Sequence, residues 1–151
     1  MTALVQASNE DLNSFIESFR DSELAHFYFT SDEMIKASFY EFLAEKTVLK
    51  LEMDGTALGF ICYISHGAFH SYPYIHLLTV LPECRGKGFG KQALDLFEEN
   101  YAAERGKIFL VVADFNPDAK SFYERNGYCQ VGIIPGLYRS GINESLMMKN
   151  L

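Results

Sequence analysis

Apolar residues recur along this chain at two different spacings, and the change from one to the other marks out its elements. Leu12, Phe15, Ile16 and Phe19 repeat at three and four residues, which places them on one face of an α-helix. Ser8 and Asp11, just ahead, have the spacing of a capping pair. Ile35, Phe39, Phe42 and Leu43 form a second helical face behind Thr30 and Glu33, which read as a capping box. "HFYF", His26 to Phe29, lies between the two helices. The period then shortens. "TVLKLEMDGTALGFICYIS", Thr47 to Ser65, is two strand-like runs joined at Asp54-Gly55. That dipeptide predicts a two-residue hairpin turn, because both central residues of a type I′ turn need positive φ.

A loop, "HGAFHSYP", leads into a further strand, "YIHLLTVL". Ala93, Leu94, Phe97 and Tyr101 then share a helical face, and Arg105-Gly106 ends that helix. "KIFLVVA" is apolar without alternation, as a central strand covered on both faces would be. Asn116 suits an N-cap and Pro117 the first turn of a helix carrying Ala119, Phe122 and Tyr123, with Gly127 as its stop. "YCQVGII" and "ESLMMKNL" close the chain as strands. With a short first strand the predicted order is β-α-α-β-β-β-α-β-α-β-β. The strand–helix–strand unit from Tyr74 to Ala113 calls for a parallel pair with a right-handed crossover. The predicted fold class is therefore α/β with a mixed sheet.

Length and charge narrow the functions open to such a fold. The 151 residues suit one domain, 1–151, around one core, and a hydrophobic content of 48% suits a globular chain. A net charge of −7 argues against a general nucleic-acid-binding surface, which needs clustered cations, and it suits a cationic substrate. No basic segment followed by an apolar run opens the chain, and the longest apolar runs are too short to cross a bilayer. Neither membrane nor nucleic acid is expected as a partner. Cys62, Cys84 and Cys129 make no even framework and no CxxC pair, which points to a reducing, cytoplasmic setting.

Against the acidic background one stretch stands out: "VLPECRGKGFGKQAL", Val80 to Leu94. Gly86, Gly88 and Gly90 alternate where a strand gives way to a helix, among Arg85, Lys87 and Lys91. Glycine lets a backbone approach a ligand closely, and amides at a helix N-terminus are unpaired and carry the positive end of its dipole. Such a turn suits a phosphate. A P-loop fails here, because Gln92 follows Gly90-Lys91 and Arg85 stands where the first glycine belongs. The dinucleotide fingerprint matches Gly88, Gly90 and Ala93 in letters. That motif, the mark of an oxidoreductase, follows its strand directly, whereas "LPECR" intervenes here.

The segment resembles the acyl-CoA loop of the GNAT superfamily of N-acyltransferases, R/Q-x-x-G-x-G/A, with Arg85, Gly88 and Gly90 at its fixed positions. "NPDAKSFYERNGY", Asn116 to Tyr128, resembles that family's other marked segment, and the order of elements is similar from end to end. The resemblance implies a mostly antiparallel sheet, splayed open, with helices on both faces. It implies acetyl-CoA as co-substrate, its pyrophosphate on the amides of Arg85, Gly86, Lys87, Gly88, Phe89, Gly90 and Lys91. The pantetheine arm would lie along the backbone of Leu78, Thr79 and Val80, with Asn116 and Tyr123 also touching the cofactor. A module of this fold that binds acyl-CoA without turnover fits the same motifs.

The implied reaction is direct attack of a primary amine, on a small molecule or a peptide, upon the thioester in a ternary complex. The Leu78 amide would face the oxyanion and Tyr123 would protonate the leaving thiolate. Tyr123 also suits the core, since it shares a face with Ala119 and Phe122. Histone-acetylating members carry a Glu on the central strand where this chain has Tyr74. His76, two residues on, resembles an imidazole that another member uses, and an ordinary histidine suits a base near neutral pH. Glu144 is a further candidate, whereas Cys84 and the pair His66 and His70 suggest no nucleophile or metal site. The acceptor site should lie among the N-terminal helices with "HFYF", the loop around Phe69 and Tyr72, and "GLYRSGINE" with Tyr138. Its aromatic residues can hold a cation, form core, or cover a homodimer interface.

Overall fold

A computed structural model describes all 151 residues. The strand-like runs become β1 (Thr2–Gln6), β2 (Val48–Met53), β3 (Thr56–Ala68), β4 (Tyr72–Val80), β5 (Lys107–Ala113), β6 (Cys129–Pro135) and β7 (Asn143–Asn150). The helices are α1 (Leu12–Glu17), α2 (Glu23–Phe27), α3 (Asp32–Ala44), α4 (Phe89–Phe97) and α5 (Pro117–Arg125). One sheet runs β1-β2-β3-β4-β5-β7-β6 and is antiparallel except between β4 and β5. The mixed, mostly antiparallel sheet expected from the sequence is present.

Alternation sends the side chains of each strand to two cores. On one face Leu49, Leu51, Ile61, Ile108 and Leu110 meet Ala93, Leu94 and Phe97 of α4 and Tyr123 of α5. On the other, Val48, Phe60, Cys62 and Leu77 meet Phe15 of α1, Phe19, and Ile35, Phe39 and Phe42 of α3. Phe15 sits 4.8–5.3 Å from the rings of Phe19, Phe39 and Phe60. Each such buried ring contributes about 1.5–3 kcal/mol, so this cluster holds the short α1 on the sheet.

Asp54 and Gly55 take φ of 52° and 78°, the turn read from the sequence. Other features depart from the reading. "HFYF" belongs partly to a third N-terminal helix, α2, capped by Ser22, whose hydroxyl accepts from the Ala25 amide. The cap of α3 is Ser31 rather than Thr30, its hydroxyl accepting from the Met34 amide. The expected loop at residues 66–73 is mostly strand, because β3 runs to Ala68 and turns back through Phe69 and His70 at φ of 55° and 57°. Register slips between Ile64 and Ala68, and a Cβ on Gly67 would lie 2.9 Å from the Cβ atoms of Ile64 and Tyr74. Only glycine lets the chain fold over itself there. The fourth helix breaks into a π-turn at Glu98–Ala102 before Gly106 ends it at φ 82°.

Candidate active site

The site begins where the sheet comes apart. Only Tyr74 with Phe109 and Ile75 with Leu110 join β4 to β5. Beyond them the strands diverge, and a cavity of about 290 Å³ fills the gap. Its walls include Leu78 and His76 of β4, Val111 and Ala113 of β5, Asn116 with Ala119 and Tyr123 of α5, and Glu144 of β7.

A bulge in β4 sets the direction of its groups. Cys62 pairs with Leu77 and Tyr63 with Ile75, so His76 has no partner on β3. The extra residue reverses the alternation: Leu77 joins the core under α3 while Ile75 joins the one under α4. Further on, the Leu81 amide donates to the Leu58 carbonyl of β3. Counting back along the pleat, Thr79 turns its backbone groups toward β3, and Leu78 and Val80 turn theirs toward the gap. The Thr79 hydroxyl is buried against α1, where it accepts from Ser18 Oγ at 2.8 Å. Of the three residues expected to meet the pantetheine arm, Leu78 and Val80 have the right aim and Thr79 does not.

The glycine turn follows directly. Gly86 and Gly88 take left-handed φ of 74° and 85°, where a side chain would be strained. None of the amides from Gly86 to Lys91 donates to another group of the chain, and the first bond of α4 runs from Gln92 to the Gly88 carbonyl. Six successive donors at a helix N-terminus are thus free for an anion. Arg85 departs from the expectation. Its amide donates to the Pro82 carbonyl at 3.3 Å. Its guanidinium donates to the carbonyls of Val80 (3.0 Å), Ser18 (3.1 Å) and Arg20 (2.6 Å), with Asp21 at 3.5 Å. The side chain therefore ties the end of α1 to the end of β4 instead of lying over the loop. Lys91 pairs with Asp95 one turn along α4, and Lys87 is exposed and forms no ion pair.

Tyr123 and His76 meet in this cavity. Tyr123 is 8% exposed, yet its Oη has no partner in the chain, and no buried side-chain oxygen is left unsatisfied. Its hydroxyl therefore opens on the cavity. Burial pushes its pKa up, which keeps the phenol protonated at neutral pH. Burial lowers the pKa of His76, against a weaker raising effect of Glu41, so the imidazole is neutral and able to accept a proton at pH 7. Its ring lies 5.2 Å from Phe42 and 6.3 Å from Tyr138. The Asn116 carboxamide oxygen accepts from the Ala119 amide at 3.3 Å, capping α5 at the cavity wall.

The opposite end of the cavity is built from α2 and the β6–β7 connection. Tyr28 donates to Glu144 Oε2 at 2.8 Å, and the hydroxyls of Tyr74 and Tyr138 share a hydrogen bond at 3.1 Å. Burial, the Tyr138 bond and the fields of Glu144 and Tyr123 all raise the pKa of Tyr74, so these groups share one electrostatic environment. Phe69 and Tyr72, expected in the acceptor region, pack instead on Phe109 at the closed end of the gap. Tyr28, expected in the acceptor region as part of "HFYF", lies there, whereas Phe115 carries no motif and sequence reading missed it. Glu144 left a signal: alternation in "ESLMM" puts it on one face with Leu146 and Met148, where a lone carboxylate is unusual.

Comparison with known proteins agrees with this geometry. Residues 11–128 match the model of the Acetyltransferase (GNAT) family. The chain is 31% identical over 128 residues to an uncharacterized N-acetyltransferase of Archaeoglobus fulgidus, covering 78% of this chain and 86% of that one. It is 36% identical over 100 residues to an uncharacterized N-acetyltransferase of Methanocaldococcus jannaschii, which it matches over 62% of that protein's length and 65% of its own. The fold is similar to a putative GNAT acetyltransferase of Desulfovibrio desulfuricans, with a TM-score of 0.81 at 16% identity and 99% of each chain covered. Ard1 of Thermoplasma volcanium aligns with a TM-score of 0.77 at 20% identity, over 99% of this chain and 97% of that one. The chain belongs to the GNAT family of acetyltransferases.

Proposed function

We propose that residues 1–151 act as one catalytic domain that moves the acetyl group of acetyl-CoA to a primary amine, by direct attack in a ternary complex. The observation that carries this reading is one succession along the chain. Six free amides from Gly86 to Lys91 follow the end of β4, the strand whose His76 and Leu78 line the gap beside β5, and the Tyr123 hydroxyl opens in that gap. The pyrophosphate of the cofactor would sit on those amides. The arm would take the place of a strand beside Leu78 and Val80, past Asn116.

The residues supply the three needs of the reaction. The Leu78 amide faces the oxyanion of the tetrahedral intermediate. Neutral His76 accepts the proton that the ammonium must lose before or during attack. Tyr123, protonated by virtue of its burial, gives a proton to the departing thiolate. The setting proposed is the cytoplasm, consistent with three unpaired thiols at Cys62, Cys84 and Cys129.

Calorimetric titration with acetyl-CoA, CoA and NADH tests the reading. Micromolar binding of acetyl-CoA, weakened about 100-fold or more by Gly88→Glu, is expected, because a carboxylate there would meet an anion in a strained turn. Preference for NADH would overturn it. Binding of acetyl-CoA with no amine-dependent release of thiol would leave a binding module in place of an enzyme.

A further inference from the structure

Glu144 is the one carboxylate of the chain that is deeply buried, at 2% exposure. Its Oε2 is held by Tyr28, while Oε1 accepts from no group of the chain and, with no buried oxygen left unsatisfied, opens on the cavity. It takes part in no ion pair. A buried carboxylate with one neutral partner is costly unless a cation joins it. Burial raises the pKa of this carboxyl, the Tyr28 hydrogen bond lowers it, and the field of nearby Asp114, exposed and accepting from the Asn143 amide, raises it further.

Around this oxygen the wall is aromatic. Tyr28 meets Phe115 and Tyr138 edge-on at 5.1 and 5.7 Å, and Phe27 stacks on Phe115 at 4.3 Å. Three contacts run from α2 and β4 to the β6–β7 connection and its strand: Tyr28 to Glu144, Tyr74 to Tyr138, and Arg139 over the Tyr28 ring at 5.8 Å. They bridge one end of a cavity of about 290 Å³. Arg139 is exposed at its rim and forms no ion pair, so the rim is positive where the floor is negative.

We propose that the acceptor is a compact primary amine with a single positive charge and an apolar body, its ammonium on Glu144 and its body among the rings of Tyr28, Phe115 and Tyr138. The proposal rests on the acetyl-transfer reading above and adds the substrate class. A free amine of this kind is cationic at neutral pH and is drawn to a buried carboxylate flanked by π-faces. A second ammonium, as in a polyamine, would meet Arg139. A carboxylate beside the amine, as in a free amino acid, would meet Glu144. Both are repelled, and like-charge contact of this sort is a means of discrimination.

The test is calorimetry with 2-phenylethylamine, phenylalanine and spermidine, on the protein alone and saturated with CoA. The variants are Glu144→Gln, which keeps an acceptor for Tyr28, and Arg139→Ala. Binding of 2-phenylethylamine about tenfold or more tighter than either competitor is expected. Glu144→Gln should weaken it about thirtyfold, the loss that follows removal of one partner of a buried charge pair, with CoA affinity unchanged. Arg139→Ala should raise the affinity for spermidine. Equal or tighter binding of spermidine or phenylalanine, or an affinity for 2-phenylethylamine indifferent to Glu144→Gln, would overturn the proposal. If Glu144→Gln does not fold, the exposed Arg139→Ala variant decides: a gain for spermidine supports the rim's role, and no gain overturns it. Failure to bind acetyl-CoA sinks the reaction assigned above, whereas the amine titration on the protein alone still reads the recess.

Discussion

The glycine turn and the far end of the cavity are made of different material. The proposed cofactor site is mostly backbone: six free amides from one continuous turn, with Lys91 paired to Asp95, the Arg85 guanidinium facing away and only Lys87 unpaired. The proposed acceptor end is side chains: Tyr28, His76, Phe115, Tyr138 and Glu144, brought from separate elements of the fold, with Tyr74 behind Tyr138. A backbone site depends on local conformation and tolerates most substitutions that keep it. A side-chain site depends on how distant segments pack, and each substitution changes what it recognises.

The sharpest test of that contrast is Tyr123→Phe. Turnover should fall by about 10²–10⁴-fold, the range for loss of a general acid, while acetyl-CoA affinity stays within about threefold, because the phenol contributes a proton and the loop contributes the binding. Equal loss of both would mean that Tyr123 builds the cofactor site rather than serving the chemistry. Next comes the pH profile. A neutral His76 as base predicts that kcat/KM falls on the acid side with a midpoint below the ordinary histidine value of 6.5, because burial lowers its pKa. His76→Gln should remove that limb; if the limb persists, another group is the base.

Arg85→Ala should act on both ends at once. The guanidinium joins Val80, at the end of β4, to the carbonyls of Ser18 and Arg20 that lead into α2. Its removal should cost about 1–3 kcal/mol of stability, read as a lower thermal midpoint. It should also raise KM for the amine more than for acetyl-CoA, because α2 carries Tyr28 and the loop amides remain. The reverse pattern would restore Arg85 to the pyrophosphate. The smallest effect is expected from Lys91→Ala, whose exposed pair with Asp95 is worth little. Less than about a threefold change in acetyl-CoA affinity fits a site made of amides, and a loss of tenfold or more would show that charge, not backbone, holds the phosphate.

The same contrast decided what could be read in advance. The glycine turn was legible because its constraint is local: left-handed φ at Gly86 and Gly88 leaves a mark in the letters. The aim of Arg85 was not legible, since its partners at Ser18 and Arg20 lie more than sixty residues away in sequence. The bulge at His76 was hidden too, because "YIHLLTVL" shows no turn residue and the slip exists only against β3. "HFYF" looked like a connection, and α2 forms there with Ser22 as its cap and Phe19, Phe29 and Phe115 packing around it.

By itself the sequence determined the order of strands and most helices, the type I′ turn at Asp54-Gly55, the glycine turn before α4 and the placing of Tyr123 on a helix behind Asn116. Each follows from periodicity or backbone restriction within a few residues. Tertiary structure alone decided that Arg85 braces α1 instead of the loop, and that Tyr28 meets Glu144 across 116 residues of chain. Those outcomes depend on which surfaces pack together, and a free energy summed over many distant contacts leaves no short pattern in the chain.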